Sequence, residues 1–130
     1  MSRLVFCEDE VQIQKLIRIA MRSTAHEVHI AVDGREGLAL IERILPDVVF
    51  TDVAMPNMNG FELSDAMRDR PELAAIPVVF VTASVQRSEQ EDAYRHGATA
   101  VIPKPFGAAE LRQKVDAILS GLVTDRPGSA

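Results

Sequence analysis

Val48-Val49-Phe50-Thr51-Asp52-Val53-Ala54-Met55-Pro56-Asn57-Met58-Asn59-Gly60 joins an apolar run to an acid and then to a turn-rich loop. Val48, Val49 and Phe50 read as a buried β-strand that delivers Asp52 at its carboxyl end. Pro56 and Gly60 then carry the chain away. In open α/β sheets, ligands bind just outside the carboxyl ends of the strands. Alone, Asp52 is equally well a helix cap or an ordinary loop residue, so the rest of the chain has to decide.

Working outward, the same pattern recurs. Upstream, Leu4, Val5 and Phe6 form a first apolar strand that ends in Glu8-Asp9-Glu10. Helical periodicity follows, with Val11, Ile13, Leu16, Ile17, Ala20 and Met21 on one stripe and Gln12, Gln14, Lys15 and Arg18 elsewhere. Acids at that helix start also suit its positive dipole end, a purely structural role for Glu8 and Asp9. Residues 27–32 alternate as an edge strand with Asp33-Gly34 as its turn, and a helix over 35–45 carries Leu38, Ile41 and Leu45 inward before Pro46 stops it. Downstream, a helix over 61–70 carries Phe61, Leu63 or Ser64, and Met67. The continuously apolar strand 78–81 suits a sheet covered on both faces and ends in Thr82-Ala83-Ser84. Residues 86–96 make a helix whose only sizeable apolar members are Ala93 and Tyr94, a thin stripe that implies low local stability. Strand 100–102 runs into Pro103-Lys104-Pro105-Phe106, and proline places it at an edge. A last helix, 108–122, lines up Leu111, Val115, Ile118 and Leu122, and a poorly ordered tail is expected over 123–130.

Five strands alternating with five helices predict a (βα)5 doubly wound parallel sheet with right-handed crossovers, over a domain of residues 1–122. In the flavodoxin-like strand order 2-1-3-4-5, strands one and three meet at the switch point. Glu8, Asp9 and Asp52 then share one crevice, and the neighbouring strands contribute Thr82 and Lys104.

Composition bounds the partners. The chain has 130 residues, 47% hydrophobic and 25% charged, enough for one domain with a sizeable core. A net charge of -5 disfavours nucleic acid or an anionic membrane as the main partner. The single Cys7 excludes an internal disulfide and reads as a small core residue, consistent with a reducing, cytoplasmic compartment. No apolar run approaches the roughly 20 residues of a membrane span. His26, His29 and His96 are too scattered for a relay or a metal site.

Carboxylates brought together in one crevice repel by about 4 kcal/mol per pair at 4 Å and an effective dielectric near 20. Lys104 supplies one positive charge, and a divalent, oxygen-preferring cation such as Mg²⁺ is the natural complement. Metal, lysine and hydroxyl around one carboxylate suit a phosphoryl group, with Asp52 as the nucleophile that forms an acyl phosphate.

On these residues the chain resembles the receiver domain of bacterial two-component response regulators, and the resemblance covers about residues 3–122. It rests on Glu8-Asp9, on Asp52 with Met55-Pro56 and Gly60, on Thr82-Ala83, and on Lys104-Pro105-Phe106. The resemblance implies phosphorylation of Asp52 by a histidine kinase or a histidine phosphotransfer protein. It implies Mg²⁺ on Glu8 or Asp9, on Asp52 and on the main-chain carbonyl of Ala54. It gives Thr82 and Lys104 the family's threonine and lysine roles, and makes Lys104-Pro105 a candidate cis peptide. The implied protein is a monomer or weak dimer that is no enzyme beyond its own phosphorylation and dephosphorylation. Lacking an output domain, it would dock onto a downstream protein or pass the phosphoryl group along a relay, with no direct contact to nucleic acid or membrane.

Two departures stand out. Val101 occupies a position where the family often has an inward-swinging aromatic, and Ala54 adds nothing polar two residues after Asp52. Switching is therefore expected to run through Thr82, Ala83 and the helix over 86–96 rather than through Val101. Rival classes fit less well. An aspartate-nucleophile phosphatase wants an acid where Ala54 stands, and a flavin or nucleotide binder wants a glycine-rich loop where Glu8-Asp9-Glu10 stands. A degenerate, phosphorylation-independent receiver would not need the full set of acid, hydroxyl and lysine.

Overall fold

Apolar runs bounded by acids and turns become parallel strands in a computed structural model, which describes residues 1–84 and 86–124 apart from the side chains of 122–124. The chain runs β1 (Arg3–Cys7), α1 (Val11–Arg22), β2 (Glu27–Ala31), α2 (Gly34–Ile44), β3 (Val48–Asp52), α3 (Gly60–Arg68), β4 (Val78–Thr82), α4 (Arg87–Arg95), β5 (Ala98–Pro103) and α5 (Ala108–Thr124). The strands pair in parallel in the order β2-β1-β3-β4-β5, the flavodoxin-like arrangement expected. Cys7 pairs with Thr51, Asp52 with Val81, and Thr82 with Pro103. The carboxyl ends of four strands thus lie in line.

Because side chains alternate along a strand, a sheet covered on both faces carries two cores. Leu4, Phe6, Val48, Phe50, Val79 and Val81 meet Ile17, Ala20 and Met21 of α1 and Leu111 and Val115 of α5 on one face. Phe6 and Phe50 stack there with ring centroids 4.6 Å apart. Val5, Cys7, Val49, Val78 and Phe80 meet Leu40, Ile41, Leu63, Met67 and Ala93 of the other three helices on the opposite face. Of the α5 stripe, Leu111 and Val115 are buried and Ile118 packs beside them, whereas the side chain of Leu122 lies outside the described residues.

The structure corrects several expectations. In α1, Val11 is 60% exposed, while Gln14, assigned to the polar face, is buried. Leu45 is not on the inner stripe of α2. It caps the helix with φ 49, in the left-handed region, and is exposed, because Pro46 forbids another helical turn. Tyr94 is exposed too, so α4 buries Ala93 and nothing else. β5 starts two residues early, at Ala98, where it pairs with Val78 beside a register shift. α5 continues to Thr124, so the first two residues of the expected tail are helical, and 125–130 lie outside the described residues.

Candidate functional site

Asp52 is delivered by a strand buried along its whole length and is 8% exposed. The loop after it is pinned in several places. Gly60 donates its N–H to the carbonyl of Val53 at 2.9 Å, and a Cβ on Gly60 would overlap the carbonyl oxygen of Asp52. Only glycine lets α3 start this close to the acid. Asn57, at φ 67, donates to Asp33 at 2.7 Å, and Gly34 donates to the carbonyl of Met58 at 3.1 Å. Asn59 and Glu62 then form a reciprocal capping box that fixes the first turn of α3.

Lys104 is held from both sides. Its N–H donates to the carbonyl of Thr82 at 2.8 Å, which docks the end of β5 on the end of β4, and the Lys104-Pro105 peptide is cis. Its Nζ lies 3.0 Å from Asp52 Oδ2, 2.9 Å from Glu8 Oε1 and 3.9 Å from Glu10 Oε1. The lysine therefore bridges two buried carboxylates, Glu8 just after β1 and Asp52 at the end of β3.

Of the three acids after β1, Glu8 turns inward and is 3% exposed. Its N–H donates to the carbonyl of Ala31, its carboxylate accepts from the N–H of Glu10 at 3.1 Å, and its carbonyl accepts from Nε2 of Gln14 at 2.7 Å. Burial pushes the Glu8 carboxyl up to about 7, against the pull of Lys104 and the Glu10 N–H, while neighbouring Asp52 pushes it further up. For Lys104, burial works to lower the pKa, but hydrogen bonds to Glu8 and Asp52 outweigh it and hold the ammonium above its ordinary value. The two shifts have opposite balances: for Lys104 the partners outweigh burial and favour the charge, whereas for Glu8 burial outweighs the partners and disfavours it.

Carboxylate oxygens of Glu8, Glu10 and Asp52 lie within 4.8 Å of one another. Asp9, expected as an alternative to Glu8, is exposed and stands at the rim of the same cavity with Ala54, outside that cluster. Hard carboxylate oxygens close together are the donor set Mg²⁺ takes, so the residues fit such an ion. Thr82 and Lys104 line the cavity as well. The hydroxyl of Thr82 is not directed at Asp52, however. It donates to Glu89 Oε1 at 2.9 Å and accepts from the N–H of Ser84 at 3.1 Å. Ala83 is exposed beside it, and Val101 is half-buried in the core beneath α4.

Three residues escaped the sequence reasoning: Glu10, Gln14 and Glu89. Gln14 was detectable, since with Ile17 and Met21 it marks the i, i+3, i+7 line that faces the sheet. Cys7 sits under Gly37 in the opposite core, and burial pushes its thiol up to about 12.

The fold and site define a class: a flavodoxin-like sheet with a carboxylate–lysine centre at its switch point. A family model for the response regulator receiver domain matches residues 4–116. The chain is 31% identical over 121 residues to protein PilH of Pseudomonas aeruginosa, a match covering 93% of this chain and 100% of PilH. It is 31% identical over 119 residues to the DNA-binding dual master transcriptional regulator RpaA of Synechocystis sp., covering 92% of this chain but 49% of RpaA. The chain thus spans about half of that regulator and the full length of PilH. Among solved structures, chemotaxis response regulator CheY4 of Vibrio cholerae superposes with a TM-score of 0.85 at 28% identity, covering 91% of this chain and 98% of that one. The chain belongs to the response regulator receiver domain family. Among the described residues no helix is long and apolar enough to cross a membrane.

Proposed function

We propose that Asp52 is the phosphoacceptor of this receiver domain. The observation that carries the proposal is Lys104 Nζ bridging Asp52 and Glu8 at strand ends, with Glu10 beside them. The donor is a phosphohistidine of a kinase or phosphotransfer protein. An Asp52 carboxylate oxygen attacks phosphorus, the P–O bond forms as the P–N bond breaks, and the electron pair returns to the imidazole. Glu8, Glu10, Asp52 and the main-chain carbonyl of Ala54 are the oxygen donors that would hold Mg²⁺, with Asp9 at the rim. That ion, when bound, offsets the charge of the phosphoryl oxygens. Lys104 shares the work, since its ammonium already touches the nucleophile and stays there as negative charge builds up. Thr82 lines the same cavity, and its hydroxyl, once turned, donates to a phosphoryl oxygen.

The protein's chemistry ends with formation and hydrolysis of its own acyl phosphate. Its output is a changed surface for a partner protein, or onward transfer of the phosphoryl group, and the free buried Cys7 suits a reducing cytoplasm. Incubation with acetyl phosphate and Mg²⁺, followed by intact-mass measurement, tests this. One alkali-labile phosphoryl group is expected on the wild-type chain and none on Asp52→Asn. Equal labelling of that variant would move the acceptor elsewhere.

A further inference from the structure

The first turn of α4 is tied down in an unusual way. In α3, the acid at the third helical position, Glu62, turns back to the N–H of Asn59 while Asn59 accepts from the N–H of Glu62. In α4 the residue at the same position is Glu89, but Gln86 provides no side-chain cap. The Glu89 carboxylate instead reaches back to the sheet and accepts the hydroxyl proton of Thr82 at 2.9 Å. Both residues line the cavity that holds Asp52 and Lys104.

A threonine hydroxyl has one proton to donate. While it goes to Glu89 it cannot go to a phosphoryl oxygen on Asp52, so the two acceptors compete for it. The bond from the Ser84 N–H to Thr82 Oγ1 uses an acceptor lone pair and is compatible with either state. We propose that Glu89 is a latch: it holds the Thr82 hydroxyl away from the phosphoryl pocket and anchors the first turn of α4, and phosphorylation of Asp52 releases both. This rests on Asp52 being the phosphoacceptor and names the residue that resists the transfer.

Two forces act on the latch in the modified state. The phosphoryl group offers Thr82 a more highly charged acceptor than a carboxylate, and its charge repels Glu89, which lines the same cavity. Once released, α4 keeps Ala93 as its only buried contact among the described residues. The helix start is then free to move while its far end stays seated. Glu89 acts through Thr82 and touches no reacting atom.

The test is a cycle of Glu89→Ala, Thr82→Ala and the double variant, with Glu89→Gln as the conservative exchange. Two readouts are taken: the rate of Asp52 phosphorylation by acetyl phosphate with Mg²⁺, and amide hydrogen exchange over 87–95 in the unmodified proteins. Glu89→Ala is expected to raise the phosphorylation rate about tenfold, the scale of one lost charge-assisted hydrogen bond. Glu89→Gln keeps an acceptor and should fall between that variant and the wild type. In the Thr82→Ala background the Glu89→Ala change should leave the rate where Thr82→Ala alone puts it. Each single variant should speed exchange over 87–95, and the double variant should add nothing. An equal gain with and without Thr82 would mean that Glu89 acts by charge alone, and the latch is wrong. An unchanged or slower rate in Glu89→Ala also overturns it. Absence of labelling on wild-type Asp52 would instead defeat the phosphoacceptor assignment, and the exchange data would still decide the latch.

Discussion

Helix α1 buries Gln14, Ile17, Ala20 and Met21 and packs Ile13 and Leu16 beside them, whereas α4 buries Ala93 and leaves Tyr94 exposed. Both helices follow strands whose ends build the same site. The acids on the α1 side are fixed by the Gln14 bond to Glu8, the Glu8 N–H bond to Ala31 and the ion pair to Lys104. On the α4 side, Thr82 and Glu89 hold one another by a bond that either can exchange. One wall of the site is firmly packed and the other thinly buried. Segments that move in signalling come from the least stable parts of a fold, and buried apolar contact is what sets that stability.

The comparison can be broken by substitution. Ile17→Ala empties a buried position on the α1 side and should lower global stability by about 4 kcal/mol, read from urea unfolding. Lys104→Met leaves two buried carboxylates facing each other. It should cost about 3 kcal/mol, the low end for a broken buried pair, because Glu8 can take up a proton. Added Mg²⁺ should recover part of that loss, since only the folded chain gathers the carboxylates. A melt of Lys104→Met that is insensitive to Mg²⁺ would count against a cation site. Ala93→Gly, on the α4 side, should cost about 1 kcal/mol from helix propensity and lost contact. It should appear as faster exchange over 87–95 with little change in the global unfolding midpoint. The smallest effect sharpens the contrast in another way. Cys7, deep under α2 with a thiol pushed up to about 12, should react with a disulfide reagent only as fast as the whole chain unfolds.

The densely packed wall was more legible in the sequence than the thinly packed one. Period and alternation predict five strands alternating with five helices, and Asp52, Thr82 and Lys104 stand out because each lies within two residues of the end of an apolar run. What the sequence did not reveal was direction. Three successive acids follow β1, and which of them turns inward depends on backbone angles between a strand and a helix. Glu8 and Glu10 reach the cluster and Asp9 stays at the rim. Gln14 looked polar and therefore outward, yet it is buried because the carbonyl of Glu8 gives its amide a partner. Leu45 looked apolar and therefore inward, yet the helix had ended before it could turn to the core. Glu89 is one of three acids on α4, with Glu91 and Asp92. Its bond to Thr82 joins residues seven apart across a loop, and no periodic pattern reports that.

The asymmetry between the two walls is tested most directly by hydrogen exchange on the wild-type chain, with and without beryllium fluoride and Mg²⁺ as a phosphoryl mimic. Amides over 83–84 and 86–97 should show the dominant change as Thr82 leaves Glu89, while those of α1 and of the strand around Val101 stay nearly as they were. A response centred on Val101 or on α1, with α4 unchanged, would contradict it.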